Sequence, residues 1–374
     1  MVAWLLAALL TGSLVYCGLI VVAVRRYRAA RRVAEPTEPV SILKPLAGLD
    51  EGLEDNLRSF FQQDYENFEL LFALRSEADP AYRVVESLRR QYPTVAARII
   101  LTGEPPWPNA KVWSLSLMMQ QAQHDLLLMS DSDIRVTPAM ARTIAGEFAA
   151  DPGLAVTTCP YRAVAGQSIW SRLEALGMNT EFWGGVLVAR MLDGMRFAVG
   201  PTIAARRGAI TAVGGWELLQ QYLAEDFMLG NLAAGRGLGV GLSSYVIEHR
   251  IGSESFPKNA AHRIRWNRST RRSRPLGYLG QIFTNPLPLA LALVAAQPSW
   301  WPLLFPVASF RSFAGWATAE TVLADPVCRR QWMLIPVQDL LSFVFWLAGF
   351  FGRTIKWRGR RYRLLADGRF ERAE

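Results

Sequence analysis

Cysteine and histidine are both scarce. Cys17, Cys159 and Cys328 are the only three cysteines, far apart and without a C-x-x-C pair. That excludes a disulfide framework and a cysteine-based zinc site. Cys17 falls in an apolar run and Cys159 at the end of a predicted strand, so all three read as buried thiols. His124, His249 and His262 are equally scattered, with no metal-binding spacing. No G-x-G-x-x-G opens the first predicted helix, and there is no Walker A lysine motif. The glycines at 235, 237 and 239 read as a helix end and turn. Repeats and low-complexity tracts are absent. No zinc-finger or RNA-binding signature accompanies the net charge of +9, so nucleic acid is not an expected partner. The basic residues cluster instead at 25–32 and 353–363, beside apolar segments, where they would meet an anionic phospholipid surface.

What the chain has in quantity is apolar surface. Of 374 residues, 51% are hydrophobic, and 13 are tryptophan. This composition predicts a soluble domain fused to membrane segments. Residues 3–24 carry no charge and are long enough to span a bilayer. Arg25, Arg26, Arg28, Arg31 and Arg32 come immediately after. A cleaved signal peptide would carry its basic flank before the apolar run. The positive-inside rule therefore makes this an anchor, with the domain after it in the cytoplasm. The expected organisation is an anchor at 1–24, a basic linker at 25–39, a cytoplasmic domain at 40–274, membrane segments at 275–352 and a basic tail at 353–374. Three apolar stretches, 279–296, 300–323 and 333–351, lie in the fourth region. The second contains Arg311, costly at mid-bilayer unless it faces protein or water. Three crossings, or two plus a re-entrant segment, both fit.

In the soluble part, apolar runs at 40–43, 68–74, 95–101, 126–129 and 154–158 read as strands. Residues 52–63, 80–92, 110–123 and 137–149 read as helices. The alternation predicts an α/β fold with a mostly parallel, doubly wound sheet. Ligands of such sheets bind beyond the carboxyl ends of the strands. The fourth strand ends in Ser130-Asp131-Ser132-Asp133. Two carboxylates one residue apart at that place can share Mg²⁺ or Mn²⁺, ions that neutralise diphosphates. The same residues can also form a plain helix-capping turn.

Taken together, VSILKPLAGLD, EADP, NAKVWSL, SDSDIRV, AEDFML and HRIRW resemble the ceramide glucosyltransferase family, glycosyltransferase family 21. That family is a branch of the GT-A (nucleotide-diphospho-sugar transferase) fold. The resemblance runs from Val40 into the C-terminal tail. RPLGY from Arg274 and WRGRRYRL from Trp357 look most like its bacterial hopanoid-biosynthesis-associated branch. The resemblance implies a UDP-sugar donor (glucose or N-acetylglucosamine), a membrane lipid acceptor of hopanoid or ceramide type, inversion, and an integral protein of the bacterial inner membrane.

It also implies residue roles. Asp131 matches the family aspartate and, with Asp133, would hold the metal; Asp133 stands where animal members carry glycine. Asp79 would face the uridine or ribose, or simply cap its helix. Lys44 and Lys111 would meet the nucleotide, or lie solvated on the surface. Asp226 matches the general base, a carboxylate whose pKa a part-apolar pocket can raise. HRIRW corresponds to (Gln/Arg)-x-x-Arg-Trp. Arg265 would grip a phosphate, Trp266 would wall the acceptor, and His262 departs from the usual Gln or Arg. Arg263, Arg268, Arg271, Arg272 and Arg274 read as a headgroup-facing surface. Residues 169–195 read equally as an interfacial amphipathic element or as core. A processive polysaccharide synthase shares the aspartates and an R-W motif, and a non-catalytic scaffold with the same domain is the alternative from outside enzymes.

Overall fold

The computed structural model describes residues 1–29, 33–36, 38–357 and 360–373. Arg31 and Arg32 of the first basic cluster and Arg358 of the second lie outside the described residues. Strands of the sheet domain are β1 (Val40–Pro45), β2 (Phe68–Leu74), β3 (Ala97–Leu101), β4 (Leu126–Ser130), β5 (Ile134–Arg135), β6 (Leu154–Thr158), β7 (Tyr161–Ala165), β8 (Thr202–Arg206), β9 (Gly239–Leu242) and β10 (Ile247–Gly252). Seven of them form one sheet in the order β3-β2-β1-β4-β8-β6-β9. Only β8 runs against its neighbours. The sheet is therefore mostly parallel, as the sequence predicts.

Its central strands are apolar on both faces, so alternate side chains serve two cores. Ile42, Leu70, Phe72 and Leu128 point into one. Leu43, Leu71, Leu127 and Met129 point into the other. Strand order reverses at β1, whose neighbours are β2 and β4. A crevice opens at such a switch point, beyond the carboxyl ends of β1 and β4. A second, small sheet, β5-β10-β7, stands beside that crevice.

Two elements differ from the sequence reading. The helix expected at 137–149 starts at Met140, because the Thr137 backbone is held by the Tyr245 hydroxyl at 2.7 Å. Residues 169–193 form the helices Ile169–Gly177 and Trp183–Asp193, joined by a π-turn at Met178–Phe182. Their apolar side chains are largely buried, with Ile169, Phe182 and Leu192 as exposed exceptions. Core packing thus accounts for most of that stretch. All three cysteines are buried and free, as expected.

Two helical segments, Val2–Arg28 and Pro326–Gly349, are long and apolar enough to cross a membrane. Pro275–Phe283 and Pro286–Ala296 would make a third if their 61° bend lies within one span. Arg311 is fully buried and paired with Asp339, Nε to Oδ2 2.8 Å, so it faces protein.

The basic tail is a folded unit. β11 (Thr354–Trp357), β12 (Arg360–Leu364) and β13 (Phe370–Arg372) form an antiparallel sheet. Ile355, Tyr362, Leu364 and Phe370 make its core, with Leu223 of the sheet domain packed against them. The Phe370 amide donates to the Gln221 carbonyl at 3.1 Å.

Candidate active site

The crevice at β1 and β4 collects charge. Lys44, the penultimate residue of β1, is completely buried. Its ammonium donates to the Asp131 carbonyl, approaches Ser130 Oγ at 3.4 Å and sits over the Phe60 ring at 3.9 Å. Burial pushes its pKa down to about 7, against the pull of Asp131 and Asp133. Lys44 is thus neither a solvated lysine nor one reaching into open space: it supports the backbone of the aspartate turn from beneath.

Lys111 stands on the helix Ala110–Gln121, whose N-cap is Asn109. Its ammonium bridges Asp131 Oδ1 at 2.7 Å and Glu225 Oε1 at 3.2 Å. Burial opposes its charge, yet Asp131 and Glu225 together raise its pKa above the ordinary lysine value. Asn109 also donates to Glu225 Oε2 at 3.3 Å. One helix end therefore ties the aspartate turn to the segment carrying Asp226.

Asp133 is held by His249. The imidazole Nε2 lies 3.1 Å from Asp133 Oδ2, and the Arg250 amide donates to the Asp133 carbonyl at 2.8 Å. Burial works against both charges, but their attraction lowers the Asp133 pKa and raises that of His249. Asp133 Oδ1 is buried without a hydrogen-bond partner. An orphaned carboxylate oxygen beside a second carboxylate and an imidazole suits Mg²⁺ or Mn²⁺. Asp131, Asp133 and His249 carry the donor types such an ion takes, though their ligand atoms do not all lie within 4.8 Å of one another.

His249 is absent from the residues expected from sequence. It lies 116 positions from Asp133, and only β5-β10 pairing brings them together. The available signal is the alternation Ile247, His249, Ile251, which suits a strand and puts the histidine on an apolar face.

Asp226 is the second residue of the helix Glu225–Gly235. It is not the helix cap: Ala224 holds that position without a side-chain bond. Burial, then repulsion from Glu225, raises its pKa to about 7. A cleft beside it is lined by Lys111, Met129, Gly200, Ile203 and Trp216. A Cβ on Gly200 would lie 2.5 Å from Asp226 Oδ2, so a side chain there would push that carboxylate aside. The next residue, Pro201, accepts the Asp131 amide at 3.0 Å. The Gly200-Pro201 turn therefore braces both aspartates.

Asp79 is a helix N-cap. Its Oδ1 accepts the Ala81 amide at 3.0 Å, and both oxygens accept the Gly48 amide at 3.1 Å. Gly48 has φ +74°, which favours glycine. Asp79 thus fixes the loop beyond β1.

HRIRW lies on the helix Phe256–Ser273. The His262 and Trp266 rings are 4.4 Å apart, and His262 Nδ1 is 3.3 Å from Glu174 Oε1. Several arginines of this helix are tied to groups of the protein itself. Arg263 is buried, with its guanidinium 2.9 Å from Ser342 Oγ. Arg268 donates to the Phe351 and Thr354 carbonyls at 2.8 and 2.7 Å. Arg271 donates to those of Phe350 and Gly352. These cations cap the C-terminal end of the helix Ile335–Gly349, where carbonyls lack helical partners.

The fold around this cleft is that of the GT-A glycosyltransferases. A mannosyltransferase from Pyrobaculum calidifontis, solved with GDP-Man and Mn²⁺, superposes with a TM-score of 0.55 at 15% identity, covering 93% of this chain and 99% of that one. The profile of glycosyl transferase family 21 matches residues 4–370. The chain belongs to that family. Ceramide glucosyltransferase 1 of Caenorhabditis elegans is 34% identical over 222 residues, 59% of this chain and 47% of that protein. Ceramide glucosyltransferase 3 of the same organism is 29% identical over 244 residues, 64% of this chain and 53% of that protein. The chain thus spans about half the length of these curated relatives.

Proposed function

We propose that the chain moves one hexose from a UDP-sugar to the hydroxyl of a membrane lipid, with inversion at the anomeric carbon. Asp226 carries the reading. It is a half-buried carboxylate whose pKa is raised to about 7, joined through Glu225 and Lys111 to the Asp131 turn. A carboxylate so tuned accepts the proton of an attacking hydroxyl while the sugar's bond to the diphosphate breaks.

In this reading Asp131, Asp133 and His249 hold a divalent cation, which supplies positive charge to the departing diphosphate. Lys111, already bridging two carboxylates, adds a further charge near the diphosphate. Lys44 fixes the turn, and Asp79 shapes the nucleoside side through the Gly48 loop. His262, Arg265 and Trp266 belong to the diphosphate and acceptor edge, with the His262 ring packed on Trp266.

A second cavity, about 320 Å³ and open to solvent, is lined by Leu192, Arg196, Phe197, Phe227 and Arg274. Arg274 lies 5.0 Å from the Phe197 ring and 5.4 Å from that of Phe227. Phe227 is the residue after Asp226, so this cavity is the proposed path of the acceptor. The lipid is of ceramide or hopanoid type, the sugar glucose or N-acetylglucosamine. In this reading the protein sits in a bacterial inner membrane, anchored by its first helix, with the cleft facing the cytoplasm.

The test is transfer by purified protein in lipid nanodiscs. UDP-glucose and UDP-N-acetylglucosamine are offered separately with Mg²⁺ or Mn²⁺, against ceramide and a polyhydroxylated hopanoid. Mass spectrometry should show one sugar on one lipid. A polymer product, or UDP-sugar binding without turnover, would reject the reading.

A further inference from the structure

A second group of ligating side chains lies outside the aspartate cleft. Glu174 is on the helix Ile169–Gly177 and His262 on the helix Phe256–Ser273. Glu254 sits between β10 and that second helix. One ligand atom from each lies within 4.8 Å of the other two.

The two carboxylates share a pattern. Glu174 is only 4% exposed. Its Oε2 accepts the Asn259 amide, while its Oε1 has no hydrogen bond. His262 Nδ1 is 3.3 Å from that Oε1 without the alignment of a hydrogen bond. Glu254 Oε1 pairs at 3.1 Å with the exposed Lys258, while its Oε2 is buried and unpartnered. Each carboxylate therefore has one oxygen tied and one left over, with an imidazole nitrogen facing the same place. Two carboxylates this close, one of them buried, repel unless a cation lies between them.

Supporting bonds hold the donors in place. Asn259 is fully buried and orients Glu174. The Ser171 hydroxyl accepts the Glu254 amide at 2.8 Å, and the Ser168 hydroxyl donates to the Glu254 carbonyl. Such outer contacts are what orient the ligands of a built metal site.

We propose that Glu174, Glu254 and His262 bind a second divalent transition-metal ion, with zinc as the preferred species. Two carboxylates and one imidazole match zinc chemistry, and the partial exposure of His262 leaves a position for water. The ion clamps the helix Ile169–Gly177 to the first turns of the helix bearing Arg265 and Trp266. It replaces Lys258 as the counter-charge of Glu254.

The experiment uses the full chain in nanodiscs and reads zinc content by mass spectrometry, with thermal unfolding alongside. An Asp131→Asn/Asp133→Asn double variant disables the other candidate site. After equilibration with micromolar Zn²⁺ and removal of excess, it should retain one ion per chain and unfold at a higher temperature than its zinc-free form. Adding Glu254→Gln or His262→Gln should remove the ion and the thermal shift. Both positions are part-exposed, so neither change buries a new group. A double variant that keeps no zinc overturns the proposal, as does one that keeps it after both further changes. Metal content is the readout, so the outcome is independent of whether the chain transfers sugar.

Discussion

The cleft lysines and the arginines Arg268 and Arg271 of the helix Phe256–Ser273 are all cations tied to protein acceptors, yet they differ in what they face. Lys44 and Lys111 stand among carboxylates: Lys111 bridges Asp131 and Glu225, and Lys44 lies under the Asp131 carbonyl. Arg268 and Arg271 face only backbone carbonyls at the end of another helix. A cation among carboxylates can change partners when a metal or diphosphate arrives, because charge is exchanged for charge. A guanidinium on several carbonyls has no competitor and serves as a fixed cap. Basic residues close together in space thus divide into chemistry and architecture, according to their acceptors.

The comparison can be broken most severely at Asp226. Asp226→Asn should lower transfer by about 10²- to 10⁴-fold, while calorimetry shows UDP binding unchanged. In the unaltered protein, activity should rise with pH through about 7, because the base works only after losing its proton. Loss of UDP binding in the variant would mean that the carboxylate holds the donor instead. Next is Gly200→Ala, whose methyl would displace the Asp226 carboxylate. A misplacement near 1 Å costs about 100-fold, so kcat should fall with the KM for UDP-sugar little changed. His249→Ala should weaken Mn²⁺ affinity by about 10- to 100-fold, read by titration of the bound ion.

The smallest effect sharpens the other half of the contrast. Arg271→Ala leaves the Phe350 and Gly352 carbonyls without that donor. It should cost about 1–3 kcal/mol in unfolding free energy and leave the KM for UDP-sugar unchanged. A raised KM with unaltered stability would place Arg271 in the donor site after all.

These contrasts also explain what the sequence reveals. The aspartate turn is legible because it is local: an apolar strand, then two carboxylates, at the end of the sheet where ligands bind. Asp226 is legible through its motif. His249 is not, because its partner comes from an antiparallel pairing that no local pattern announces. The arginine caps are hidden for a different reason. Their acceptors are carbonyls, which every residue carries, so a basic run reads alike whether it meets lipid or a helix end. The tail's fold is hidden in the same way, since its charges lie on strands whose alternate residues, Tyr362 and Leu364, are buried.

The docking of β13 on Gln221 links the two ends of the chain's production. Residues 370–372 leave the ribosome more than a hundred positions after Asp226, yet they complete the support of the loop that precedes it. A nascent chain therefore carries every carboxylate of the cleft long before that loop is braced. Arrest or truncation ahead of residue 354 would yield a chain whose loop before Asp226 lacks this brace, and full assembly would wait on the last stretch of translation.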